Sequence, residues 1–252
     1  MFTVEERTDM CNRLIAAARS DPQVVGAALV GSTAKGLDDR WSDIDLALQL
    51  APDADPDVVA EHWTAYVRDQ SPVADTMDVY GPDNTLYRVF LLASSLQIDL
   101  SFWPQHSFRA TEDGFKLIFG TPAEPTVSNG PNSERLIRMG WLYALHVRSS
   151  VARGRTWQAI MMLDDLRNQI LALASLRHGL PAYHGRGADA LPPETLARFE
   201  ESRARSTSTA ELARSARALL QLYLDETELH DPATAECLAP AIAVLRQTAS
   251  WS

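Results

Sequence analysis

The sequence predicts an α/β (α+β) first half joined to an all-α helical bundle, and three observations carry that reading. Between residues 24 and 103, apolar residues fall in short runs of strand length, several of them alternating with polar ones. From about residue 132 they recur every three or four positions over long stretches, the period of amphipathic helices. A proline-, glycine- and asparagine-rich stretch, residues 121–131, separates the two patterns. The chain is therefore divided into domains at 1–122 and 123–252.

The elements follow in order. Residues 5–19 carry Met10, Leu14, Ala17 and Ala18 at helical spacing, and Asp21-Pro22 stops the helix. Residues 24–30 are an apolar strand that breaks at a small-residue loop, 31–36. In residues 43–50, Ile44, Leu46, Leu48 and Leu50 point one way, and Asp43, Asp45, Ala47 and Gln49 the other. Pro52 and Pro56 bracket a loop before a helix at 57–70, marked by Val58, Val59, Trp63 and Val67. Further strands are expected at 76–80, 86–92 and 97–103. In the second half, Leu136, Met139, Tyr143, Val147 and Val151 mark one helix, and 156–177 reads as a second. Gly179-Leu180-Pro181 ends it, and a loop runs to Pro193. Helices are then expected at 194–205, at 209–228 with a Ser/Thr cap, and as a short piece near 240–247.

Composition narrows the function classes. The chain has 252 residues, with 33 acids against 23 bases, a net charge of −10. A surface that negative repels a phosphate backbone, which argues against a nucleic-acid partner or a membrane-surface role. No apolar run approaches the roughly 20 residues of a spanning helix. The opening residues lack the basic-then-apolar plan of a secretory signal. Two cysteines, Cys11 and Cys237, are too few for a disulfide framework or a thiolate zinc site. The expectation is a reduced, cytoplasmic protein, a monomer or a homodimer.

The chemistry concentrates between residues 31 and 45. Gly31-Ser32 stands at the end of one strand, ten residues intervene, and Asp43-Ile44-Asp45 opens the next. Glycine lets the backbone approach a phosphate, and N–H groups and the Ser32 hydroxyl can donate to its oxygens. Asp43 and Asp45, two apart on a strand, share a face. Adjacent carboxylates repel unless a cation lies between them, and such hard oxygen ligands suit Mg²⁺ beside substrate phosphates. Asp99 lies on the polar face of the alternating run 97–102 and supplies a third carboxylate. Three acids on adjacent strands can hold two metals roughly 4 Å apart, the spacing used for in-line phosphoryl displacement.

This pattern over residues 22–104 resembles the DNA polymerase beta-like nucleotidyltransferase superfamily. The resemblance implies a small mixed sheet with helices on one face. It also implies Mg²⁺-dependent transfer of a nucleoside monophosphate from ATP or another NTP, with two ions in the loaded site and release of pyrophosphate. Gly31 and Ser32 match the phosphate-binding pair, Asp43 and Asp45 the two shared metal ligands, and Asp99 the third carboxylate. The compact size and helical second half look most like the small-molecule branch, the aminoglycoside and lincosamide nucleotidyltransferases, and within it the runs 96–102 and 153–159 resemble those of bacterial nucleotidyltransferase-domain proteins. That branch implies a small-molecule acceptor, an O-adenylylated product and a link to antibiotic resistance. A cleft between the two domains is the expected seat of Mg²⁺-NTP. The alternatives are a protein-adenylylating enzyme of the antitoxin kind, disfavoured by the long helical half, a polymer-directed enzyme, and a non-catalytic nucleotide-binding module.

Other residues carry two readings each. Lys35 and Arg40 either neutralise the triphosphate or are solvated loop charges. Ser42 either donates to a phosphate or caps its turn. Arg88 contacts the triphosphate or pairs with a nearby acid. Asp164, Arg167 and Asn168 share a helix face. With Asp165, they either contact the acceptor or form a local ion pair at an exposed stripe. The loop 184–189 either folds over nucleotide or is a plain connector. Trp141, Tyr143 and Trp157 are expected in the helical core. The histidines form no ligand-spaced cluster.

Overall fold

The computed structural model describes residues 2–37, 39–110, 114–126 and 131–247. It consists of two compact units, Met1–Ser128 and Asn129–Ser252. Residues 127–130 of the stretch that separates the two sequence patterns lie outside the described residues.

The first unit opens with α1 (Val4–Ser20), started by a reciprocal capping box. The Thr3 hydroxyl accepts from the Glu6 amide at 3.1 Å, and the Glu6 carboxylate accepts from the Thr3 amide at 2.7 Å. β1 (Val24–Val30), the single-turn α2 (Gly31–Ala34) and β2 (Ile44–Leu50) follow. Asp55 then caps α3 (Pro56–Gln70), whose first residue is a proline pre-set for that position. β3 (Val73–Tyr80), β4 (Leu86–Leu92), β5 (Gln97–Trp103) and β6 (Phe115–Phe119) complete the unit. The sheet order is β3-β4-β5-β2-β1-β6. β2 and β5 pair in parallel and the other neighbours antiparallel, so the sheet is mixed.

Strand alternation gives this sheet two unlike faces. Ile44, Leu46, Leu48, Ile98, Leu100, Leu86 and Phe90 are buried against Leu14 of α1 and Val59, Trp63 and Val67 of α3. At about 25 cal/mol per Å² of apolar surface, this packing is the main favourable term of the unit. The opposite face carries Asp45, Ala47, Asp99 and Ser101. A smaller cluster of Ala28, Ala47 and Phe108 covers part of it.

Two elements of this unit differ in kind from the sequence expectation. α2 falls where a small-residue loop is expected, since it is a single turn in which Gly31, Ser32 and Thr33 are weak helix formers. β6 was not expected at all. It is a five-residue edge strand held by pairing with β1, far earlier in the chain, and no local pattern reports that.

The second unit packs α4 (Ser133–Ala152), α5 (Thr156–Arg177), α6 (Pro193–Ser202), α7 (Thr209–His230) and α8 (Pro232–Gln247). Ser208 caps α7, accepting from the Glu211 amide at 3.3 Å. Leu163, Leu166, Ile170 and Leu173 of α5 are buried against Leu219, Leu220 and Tyr223 of α7. Gly140 of α4 admits the Tyr223 ring, since a Cβ there would lie 2.4 Å from its Cε2. The Tyr223 hydroxyl, buried by that approach, donates to the Ile137 carbonyl at 2.6 Å. α8 begins eight residues before its expected start and contains Pro240 internally. The core expectation fails for Trp157, which is 74% exposed in the first turn of α5, and for Trp141, also exposed, while Tyr143 packs against the core. No helix among the described residues is long and apolar enough to cross a membrane.

Candidate active site

The parallel pairing of β2 with β5 sets Ile44 opposite Ile98 and Asp45 opposite Asp99. With the isoleucines committed to the core, the period-2 alternation turns both aspartates to the other face. Asp43, one residue before β2 and two before Asp45, joins them. One carboxylate oxygen from each of Asp43, Asp45 and Asp99 lies within 4.8 Å of the other two. All three side chains are half-buried. Burial pushes the Asp99 carboxyl above its ordinary range, and the neighbouring Asp43 charge adds to the rise. The Gln97 amide, donating to both Asp99 oxygens at 3.0 Å, acts in the opposite direction. Three hard oxygen donors gathered against their own repulsion fit a divalent cation such as Mg²⁺.

Gly31 shapes the wall beside them. Its φ of +65° is in the left-handed region, and a Cβ there would lie 2.4 Å from Asp45 Oδ2. Only glycine meets both conditions, so the turn leaving β1 sits directly against the Asp45 carboxylate. Ser32 follows, half-buried, in α2. Its carbonyl accepts from the amides of Lys35 and Leu37, both at 3.1 Å, which closes the turn.

The other residues singled out by sequence resolve as follows. The Lys35 side chain is exposed beside the turn. Arg40 lies over the ring of its exposed neighbour Trp41 at 4.3 Å. The Ser42 hydroxyl accepts from the Asp39 amide at 2.9 Å and donates to the Asp39 carboxylate at 3.2 Å, as the turn-capping reading expects. Arg88 faces the helical side of the sheet, away from Asp99. It pairs with Asp78 at 2.6 Å and Glu61 at 2.7 Å, and donates to Thr64 at 2.9 Å. Asp164, Asp165 and Arg167 belong to the second unit. Arg167 pairs with Asp164 one turn away, the local ion pair. Burial, and then the Asp164 charge, raise the Asp165 carboxyl above its ordinary range. Asn168 and His184 both line a cavity of about 500 Å³ in the second unit, with Leu136 and Tyr183.

Residues 11–76 match the family model described as "Nucleotidyltransferase domain". The first unit carries a nucleotidyltransferase domain. The domain is that of an enzyme that transfers nucleotidyl groups, and it is similar to the DNA polymerase beta-like superfamily. The matched span contains Gly31, Ser32, Asp43 and Asp45 and ends before Asp99, which the parallel strand pairing sets opposite Asp45. Among solved structures, an aminoglycoside 6-adenyltransferase from Bacillus subtilis is 13% identical, with 97% of this chain and 99% of that chain covered, at a TM-score of 0.41. The polymerase core of TRAMP, an RNA surveillance complex, is 13% identical, with 89% and 59% covered and a TM-score of 0.31. A GLD-2/RNP-8 complex is 11% identical, with 85% and 73% covered and a TM-score of 0.27. Likenesses this distant carry no weight in the assignment. No curated protein matches the sequence.

One residue at this site escaped the sequence reading. Arg7 of α1 is buried, and its Nη1 donates to the Thr33 hydroxyl and to the Asp43 carbonyl, both at 3.3 Å. The signal was an arginine on the apolar face of α1, in step with Met10, Cys11 and Leu14.

Proposed function

We propose that the chain transfers a nucleoside monophosphate, AMP in the first instance, from Mg²⁺-bound NTP to a hydroxyl of a small molecule and releases pyrophosphate. The gathering of Asp43, Asp45 and Asp99 beside the Gly31 turn carries this reading. These three residues would hold the metal, which neutralises phosphate charge and sharpens the attacking hydroxyl when bound. Gly31 leaves the turn open for a phosphate to approach, and Ser32 and Lys35 supply a hydroxyl and a cation to its oxygens. Asp99, at the β4 side of the trio, takes the proton of the acceptor hydroxyl as it attacks the α-phosphate. Ser42, bonded to Asp39, holds the turn that leads into Asp43.

The acceptor class rests on the resemblance to the aminoglycoside and lincosamide branch. A net charge of −10 favours a cationic acceptor by long-range complementarity. The test is incubation with labelled ATP, GTP, CTP and UTP and Mg²⁺ against aminoglycosides, lincosamides and a metabolite panel. The expected result is a nucleotidyl mass shift on one acceptor class and stoichiometric pyrophosphate, both absent in Asp43→Asn. A protein that binds Mg²⁺-NTP yet yields no pyrophosphate with any acceptor is a binding module, and the enzymatic reading falls.

A further inference from the structure

Among the described residues between Ser32 and Asp43 most are exposed: Lys35, Gly36, Leu37, Asp39, Arg40 and Trp41 all face solvent. A segment with so little buried surface opens locally at low free-energy cost. Its two ends, however, carry the phosphate-binding turn and the first metal-binding carboxylate of the reading above. A displacement of about 1 Å between such groups is enough to cost a hundredfold in rate.

Arg7 bridges these ends. It is 3% exposed and is carried by a helix anchored in the core through Met10, Leu14 and Ala18. Taking a guanidinium out of water is unfavourable unless it is well hydrogen-bonded, and an apolar residue would fill the same face of α1 without that cost. The guanidinium's contacts include donations to the Thr33 hydroxyl and to the Asp43 carbonyl. A planar, rigid donor is suited to fixing two acceptors at a set spacing, whereas an ammonium is a point donor on a flexible stem.

We propose that Arg7 is a positioning residue that pins the start and end of the 33–43 loop to α1 and so sets the phosphate-binding turn against the carboxylate trio. The proposal rests on the functional reading above, but its first arm needs neither metal nor turnover. In the metal-free protein, Arg7→Met is expected to speed hydrogen exchange at the Lys35, Gly36 and Leu37 amides about tenfold while strand amides of β5 keep their protection. Thr33→Val, which removes the hydroxyl acceptor, gives a smaller change in the same direction. In the second arm, Mn²⁺ uptake is followed by electron paramagnetic resonance with a non-hydrolysable ATP analogue. Its midpoint rises about tenfold in Arg7→Met and less in Arg7→Lys. Unchanged exchange and an unchanged Mn²⁺ midpoint in folded Arg7→Met overturn the proposal. If Arg7→Met does not fold, unchanged exchange in Thr33→Val does so. Should the wild-type protein take up no Mn²⁺-nucleotide, the functional reading fails, and the exchange arm alone decides whether Arg7 holds the loop.

Discussion

The two faces of the same sheet treat carboxylates in opposite ways. On the helical face, Asp78 and Glu61 converge on Arg88, and the attraction holds the Asp78 carboxyl below its ordinary range. On the other face, Asp43, Asp45 and Asp99 converge on one another, and the Asp99 carboxyl is held above it. The helical unit repeats the first pattern, with Asp164 beside Arg167 on one turn of α5. Acids that meet an arginine have their charged form favoured, while carboxylates that crowd one another disfavour each other's charge, and a divalent cation between them would relieve it. That contrast separates the structural carboxylates of this molecule from those assigned to chemistry.

The contrast can be broken by substitution. Asp43→Asn is expected to lower kcat by about a thousandfold or more, with the metal-free melting temperature unchanged or higher because a repulsion is removed. Steady-state kinetics on the acceptor found by screening, with melting followed by circular dichroism, checks both parts. Gly31→Ala comes next. A positive φ and a Cβ aimed at Asp45 cost about 1–3 kcal/mol of stability and, by displacing the carboxylate, about a hundredfold in rate. Denaturant midpoints and kcat are the readouts. On the other face, Arg88→Met strands Asp78 and Glu61. It is expected to remove about 2 kcal/mol of stability while leaving kcat per folded molecule within about twofold, the loss being limited by the exposure of Glu61.

The pH dependence of stability sharpens the same comparison, because the two shifts have opposite signs. Asp78 has a lowered pKa in the fold, so its contribution is present above the ordinary value of 3.8 and disappears as pH falls through the lowered value. Asp99 has a raised pKa, so its contribution is full below 3.8 and is lost as pH rises through the raised value. Asp99→Asn should therefore flatten the decline of melting temperature as pH rises from 3.8, and Arg88→Met should flatten the acid limb below it. The smallest effect is at α5. Asp164→Asn breaks an ion pair whose acid is 61% exposed and is expected to cost less than about 1 kcal/mol, with kcat unchanged. A rise in acceptor KM in that variant would bring the stripe into the acceptor site.

Much of this was legible in the residues. The alternation Ile44, Leu46, Leu48 against Asp43, Asp45 fixes which face of β2 is buried, and the spacing from Gly31 supplies the turn. Asp99 was legible as a polar-face residue, but its place opposite Asp45 depends on β5 lying beside β2, with β3 and β4 passed over. Strand order of that kind is a long-range property that local periodicity does not carry. That Arg88 pairs with an acid was legible, but its partners were hidden, since Asp78 and Glu61 reach it from another strand and from a helix. Arg7 was visible as a charge on an apolar helix face, yet its meaning depended on where the 33–43 loop lies. Pro240 was read as a helix start, the position it favours, and instead sits within a helix that Pro232 had already begun.

The central claim is that the trio of carboxylates and the Gly31 turn form one site for a metal-bound triphosphate. Calorimetric titration with a non-hydrolysable ATP analogue, with and without Mg²⁺, tests it most directly. The account predicts heat of binding in the wild-type protein only when Mg²⁺ is present, and none in Asp45→Asn. Binding that is indifferent to Mg²⁺, or that survives in Asp45→Asn, would contradict it.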